Sequence, residues 1–123
     1  MNEQKLYELL GGEPAIQKAV EVFYRKMLTD KRVSVFFERI DMAGQMAKQK
    51  AFLTMVTGGP AHYTGKSMRE GHKHLVDRGL NDEHFDITVG YLADTLRELG
   101  VEEAHVAQVV TTCEGARGDV LNR

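Results

Sequence analysis

The chain has 123 residues, with 16 Lys and Arg against 18 Asp and Glu, a formal net charge of −2 and 42% hydrophobic residues. That length suits a single domain, 1–123, around one core, and the apolar content excludes a disordered chain. The balanced charge argues against a nucleic-acid or anionic-membrane surface, and a single cysteine excludes an internal disulfide, which points to a reducing compartment.

No apolar run follows Met1-Asn2-Glu3-Gln4-Lys5, so no signal peptide is expected, and no stretch is long enough to span a membrane. A cytoplasmic location is the expectation. Strict apolar/polar alternation is absent, and glycines fall between segments of helical period. A short helix, Leu6 to Leu10, should stop at Gly11-Gly12. Pro14 sits in the first turn of a second helix, where its missing N–H costs nothing. That helix carries Ile16, Val20, Phe23, Tyr24, Met27 and Leu28 on one face. Val33, Val35, Phe36 and Phe37 form a short apolar link, and Asp41 is the expected N-cap of a third helix running towards Val56. Gly58-Gly59-Pro60 ends it and opens a loop through Gly65, long enough to suggest a segment wrapped around something. A fourth helix, Ser67 to Asp77, is stopped by Gly79. Asn81 caps a long helix bearing Phe85, Val89, Leu92, Leu96 and Leu99, ended by Gly100. The last helix carries Val106, Val109, Val110 and Cys113. The expected class is all-α.

The third helix places Met42, Gln45, Met46, Gln49, Phe52, Leu53 and Val56 at spacings of three and four, so they share a face. Two amides thus fall inside an apolar stripe. Either they reach water at its edge, or they face a cavity holding a polar ligand. Buried without partners, each would cost about 1–3 kcal/mol. Tyr24, inward beside Phe23, poses the same question: its O–H meets a backbone carbonyl, or a ligand shared with both glutamines.

His72 and His74, two apart on a helix, point to nearly opposite sides. His72 shares its face with Met68, Leu75 and Val76, whereas His74 lies with Glu70 and Arg78, so His72 is the inward one. Such a histidine is either a satisfied core residue or a ligand. No HExxH pair, Cys/His cluster or CxxC supports zinc. A lone imidazole does suffice for haem iron, whose equatorial ligands come from the macrocycle. Met68 and Gly71 suit a flat apolar ring lying against that helix. His62, His84 and His105 fall in loop or half-exposed positions, and Cys113 reads as core packing. Tyr7 and Tyr91 stay open between core and surface. The absence of GxSxG, Walker A and GxGxxG removes most hydrolase, kinase and dinucleotide-binding classes.

The order of these elements resembles the truncated haemoglobins, in particular their first group, over nearly the whole chain. The matching stretches are Leu6-Tyr7-Glu8-Leu9-Leu10-Gly11-Gly12, Phe23-Tyr24, Val35-Phe36-Phe37, Asp41-Met42, the run from Gln45 to Leu53, Gly58-Gly59-Pro60 and Met68-Arg69-Glu70-Gly71-His72. The family has a shortened globin fold, two helices packed over two, with haem between them. The resemblance implies that His72 is the proximal iron ligand and that Tyr24, Gln45 and Gln49 are the distal polar residues. Phe37 matches the ring that packs on the haem, with Phe36 as the nearby alternative, and Phe52 a residue lining the apolar route to the iron. Met68, Arg69, Val76 and Lys48 complete the expected cofactor contacts. Some cyanobacterial relatives use a histidine at the place of Lys48 as a second axial ligand, which makes Lys48 a candidate sixth ligand. Others bond the haem covalently through a C-terminal histidine. Ala116-Arg117-Gly118 and Asp119-Val120-Leu121-Asn122 contain none, so haem b is expected to be held non-covalently.

The family's chemistry implies reversible O₂ binding and oxidation of NO to nitrate, with CO and cyanide as further ligands and an external reductase to restore the iron. No nucleic acid or membrane partner is expected, and the chain is expected to act as a monomer. Two other classes compete. One is a six-coordinate haem protein of electron transfer or redox and gas sensing, its iron held by His72 and Lys48. The other is a helical interaction module without a cofactor.

Overall fold

The computed structural model describes residues 5–60 and 65–123, with side chains in the second stretch from Met68 onward. The chain is all-α, and no strand occurs among the described residues. Helix α1 (Leu6–Leu10) ends at Gly11, whose φ of 113° lies in the left-handed region that suits glycine. Its amide and that of Gly12 close onto the carbonyls of Glu8 and Tyr7. Helix α2 (Glu13–Thr29) begins with Pro14 in its first turn and buries Ile16, Val20, Phe23, Tyr24 and Met27. Leu28, expected on the same face, is 45% exposed. It lies one residue past Met27, about 100° around the helix, and the core takes the Met27 side.

Asp30 ends α2 and caps α3 (Lys31–Ser34), accepting from the Arg32 amide at 2.9 Å. A single 3₁₀ turn over Val35–Phe37 follows and turns Phe36 inward. Helix α4 (Met42–Val56) starts after Asp41 as expected. The Asp41 carboxylate makes no capping hydrogen bond; it lies over Gly44, where the missing side chain leaves room for it. At the other end, Gly59 is pressed between Tyr7 and Thr54. A Cβ there would stand 2.6 Å from the Tyr7 ring and 2.8 Å from the Thr54 methyl, so this corner admits only glycine. The Tyr7 amide donates to the Thr57 carbonyl at 2.8 Å, which docks α1 on the end of α4.

Helix α5 (Gly65–Asp77) starts two residues before the expected Ser67. The expected loop from Gly58 falls partly, and His62 wholly, outside the described residues. Helix α6 (Asp82–Glu98) opens on a complete capping box: Asn81 Oδ1 accepts from the Glu83 amide, and His84 Nδ1 accepts from the Asn81 amide. Leu99, expected inside, follows the helix end and is 40% exposed. Helix α7 (Glu103–Gly115) buries Val106, Val109 and Cys113. One further element escaped the sequence reading, α8 (Arg117–Val120).

Helices α2 and α4 pack together, α2 also meets α6, and α6 lies against α7, with Ile16, Val20, Phe23, Leu53, Leu96, Val106 and Val109 at the centre. Helix α5 stands apart from this sandwich and docks chiefly on α8. Asp119 receives Arg69 at 3.3 Å, and Asn122 Nδ2 donates to the Arg69 carbonyl at 3.1 Å. Arg117 anchors the clasp from behind, paired with Asp82, Asp86 and Glu114 and stacked 4.4 Å over Phe85. Among the described residues no helix is long and apolar enough to cross a membrane.

Candidate functional site

Because α5 stands off from α2, α4 and α6, it leaves a cavity of about 550 Å³ between them, within the size range of small-molecule sites. Its walls are chiefly apolar, with Phe23, Phe36, Phe37, Phe52, Met68 and Leu75 among them. Polar groups enter from two opposed elements.

From α2 and α4 come Tyr24, Gln45 and Gln49, one helical turn apart on α4 and facing α2. Gln45 Nε2 donates to Tyr24 Oη at 3.1 Å. The hydroxyl is thus an acceptor in this bond, and its own hydrogen points to another acceptor. Tyr24 is 3% exposed and fixed by two rings, Phe23 at 4.9 Å and Phe37 at 5.5 Å, both edge-on. Edge-to-face contacts of this kind restrict the phenol to one orientation. The pair of amides in the α4 stripe therefore faces the cavity, not bulk water.

From α5 comes His72. Its Nδ1 lies 2.8 Å from the Met68 carbonyl. A carbonyl only accepts, so Nδ1 carries the hydrogen and the lone pair is on Nε2. Burial pushes the imidazole below the ordinary histidine pKa, which keeps that lone pair available. A neutral imidazole with its second nitrogen oriented by a backbone carbonyl is the usual arrangement of a metal-ligating histidine. Among the described residues no three His, Cys, Asp or Glu side chains gather to cage an ion. One imidazole in a chiefly apolar slot instead fits a metal already held by a flat macrocycle, and the aromatic walls fit the macrocycle.

The remaining expected residues divide. Lys48 is exposed and lines the cavity at its rim, and His74 does the same from α5. Phe36, Phe37, Phe52 and Met68 line it. Arg69 and Val76 do not line it. The cavity takes the arc of α5 through Met68, Gly71, His72 and Leu75, and positions 69 and 76 fall on the flank turned to α8, where Arg69 is clasped by Asp119 and the Arg123 carbonyl. Two residues read otherwise from sequence also reach the cavity. Cys113 is buried there, and its thiol is raised to about 11 by burial. His84 is half-buried, its ring 4.9 Å from Phe36 and edge-on.

A family model described as bacterial-like globin matches residues 5–122. The group 1 truncated haemoglobin GlbN of Synechocystis is 49% identical, across 96% of this chain and 98% of that one. The group 1 truncated haemoglobin of Tetrahymena pyriformis is 46% identical, across 98% and 97%. Among solved structures, the 2/2 haemoglobin of Synechococcus sp. PCC 7002, in the cyanomet state with covalently attached haem, superposes with a TM-score of 0.90 at 46% identity, covering 98% of this chain and all of that one. The Fe(III) form of the Tetrahymena pyriformis protein superposes at 0.86, with 47% identity over 96% of this chain and 98% of its own.

Proposed function

The chain belongs to the bacterial-like globins, among the group 1 truncated haemoglobins, and from that premise we propose that it holds haem b non-covalently, binds O₂ reversibly and oxidises NO to nitrate with the help of an external reductase. The observation that carries this reading is the opposition across one apolar cavity of a neutral imidazole, His72, and a hydroxyl and two amides, Tyr24, Gln45 and Gln49. When bound, haem supplies an iron that takes a diatomic gas and shifts electron density onto it. His72 Nε2 would hold that iron, with Met68 keeping the ring in register. Phe36, Phe37 and Phe52 exclude water, which strengthens every polar contact made inside. Tyr24 and the amides face the cavity and would donate to a guest carrying partial negative charge. Gln45 sets the phenol through its own N–H, and Gln49 adds a donor one turn along. Phe52 lines the cavity from α4, and its ring would flank an apolar approach for NO.

Absorption spectra of the purified protein with and without O₂, followed by nitrate yield after mixing the oxygenated protein with one equivalent of NO, test the proposal. A Soret band, an O₂-dependent spectrum and stoichiometric nitrate are expected. A colourless protein would leave only a helical interaction module, and an oxygenated protein that releases O₂ without forming nitrate would remove the NO chemistry.

Lys48 supports a second reading. Its side chain lines the cavity from the same helix as both glutamines and acts electrostatically on His72. As a sixth ligand it would make the protein an electron-transfer or sensing globin. A low-spin ferric spectrum in the parent that disappears in Lys48→Ala is the expected sign, and an identical spectrum in both would overturn it.

A further inference from the structure

Residues 31–37 bring Phe36 and Phe37 to the cavity, and their anchors lie outside the segment. A four-residue helix and a single 3₁₀ turn are too short to keep their shape alone. At the far end Arg78 Nη2 donates to the Val35 carbonyl at 3.3 Å, and Val33 and Phe36 are buried. At the near end the anchor is Asp30, whose side chain is 10% exposed. Arg32 gives this carboxylate its amide at 2.9 Å and its Nη2 at 2.7 Å, but Arg32 is two residues away and moves with the segment. Tyr91 Oη donates to the same carboxylate at 2.6 Å, and Tyr91 belongs to α6. That bond ties the start of α3 to a long helix of the central sandwich. Neither Tyr91 nor Asp30 lines the cavity. Phe37, at the end of the tied segment, does line it and meets Tyr24 edge-on at 5.5 Å. The Tyr24 phenol is thus steadied by Phe23 from its own helix and by Phe37 from a segment whose entry point Tyr91 holds.

We propose that Tyr91 and Asp30 are positioning residues for gas retention: their hydrogen bond seats Phe37 against Tyr24 and so aims the phenol at the bound gas. The inference rests on the haem-binding reading above. Hydrogen bonds weaken steeply when donor and acceptor fall out of line, and a displacement of about 1 Å is enough to be felt. Tyr91 is therefore expected to act on the ligand through two intermediaries, without touching it.

The test is the rate of O₂ release from the ferrous haem-loaded protein, together with the C–O stretching band of its CO adduct. The proteins compared are the parent, Tyr91→Phe, Tyr24→Phe and the double variant. Tyr91→Phe keeps the ring and deletes the tie. Release should accelerate about three- to ten-fold, less than in Tyr24→Phe, since the donor is misdirected and not removed. The C–O band should move to higher frequency, as it does when a donor withdraws from the bound gas. In the double variant the Tyr91 change should add nothing, because no hydroxyl is left to aim. A rate and band matching the parent in Tyr91→Phe, or an acceleration that adds in full to that of Tyr24→Phe, would overturn the assignment. Asp30→Asn gives a second approach: its side-chain oxygen still caps α3, but without the charge it accepts more weakly from Tyr91. Both readouts should shift in the same direction as in Tyr91→Phe, and the absence of a shift would count against the proposal. Val109→Ala, in the α7 core and away from the cavity lining, should move neither. An equal shift there would assign the effect to general loosening and overturn the positioning role. A parent that takes up no haem would defeat the haem reading itself, whereas a loaded parent with unaffected variants defeats this inference alone.

Discussion

Tyr24 accepts from Gln45 and so directs its own hydrogen elsewhere, which makes the two residues one unit. Removing the hydroxyl in Tyr24→Phe keeps the ring packing against Phe23 and Phe37 but deletes a donor to a partly charged guest. Such a bond contributes about 1.5–3 kcal/mol, or roughly ten- to a hundred-fold in rate. Stopped-flow measurement should show O₂ release faster by that factor, and a change within about two-fold would mean the hydroxyl points away. Because Gln45 is freed at the same stroke, Tyr24→Phe with Gln45→Leu should fall short of the product of the single effects. His72 gives a second residue-scale prediction: His72→Gly should lose stable haem and recover it with added imidazole, whereas His74→Ala should retain it. Unchanged haem retention in His72→Gly would reject the assignment. These residues were legible because helical spacing orients them and family resemblance points the same way. His84 was not, since its place beside Phe36 is visible only once the 3₁₀ turn and α6 are brought together.

Helix α4 faces two environments at once, the core through Leu53 and the cavity through Gln45, Gln49 and Phe52. Its stripe could be read from spacing, but the split between core and cavity depends on where α5 stands. The element therefore separates stability from ligand handling. Leu53 has no exposed surface, and Leu53→Ala should cost about 2–5 kcal/mol through lost burial and the cavity left behind. Thermal unfolding of the apoprotein would read this as a lowered midpoint, and a shift of less than a degree would mean α4 repacks. Helix ends were the most legible features, because Gly11 and Asn81 act through local backbone chemistry. Helix α8 left no such trace: four residues carry no period, and its hold depends on Asp82, Asp86 and Phe85, more than thirty positions away.

At the scale of the molecule, Asp30 and Cys113 contribute to how stability responds to pH at the acid and alkaline ends. Arg32 and Tyr91 hold the Asp30 carboxyl well below the usual carboxylate range, through hydrogen bonds from both side chains. A depressed carboxylate contributes stability that is present above its unfolded value, near pH 4, and is lost as pH falls through its folded one. Cys113 works in the opposite range. Its thiol is raised to about 11 by burial, so above about pH 9 the unfolded chain has lost a proton that the native one keeps. The unfolded state then binds fewer protons, and stability declines as pH rises. Denaturant midpoints measured from pH 7 to 10.5 should fall in the parent and fall less in Cys113→Ala; parallel curves would mean the thiol is not the cause. The overall architecture was legible from the order of helices and breaks, whereas the cavity was not, because it is made by the separation of α5 from the other helices.

That separation also bears on how a globin of this kind is loaded. The helix bearing His72 rests chiefly on α8, through Arg69, Asp119 and Asn122, and not on the central sandwich. Swinging α5 away requires the release of a surface clasp and leaves the contacts of α2, α4, α6 and α7 intact. Entry of a flat guest from the proximal side is thus a local event, with a free energy well below that of global unfolding. A haem held by His72 would tie α5 to the opposite wall and add to the attachment that the described residues provide chiefly at the tail. The last seven residues thereby act as the latch of the empty protein, and the cofactor as the bolt of the full one.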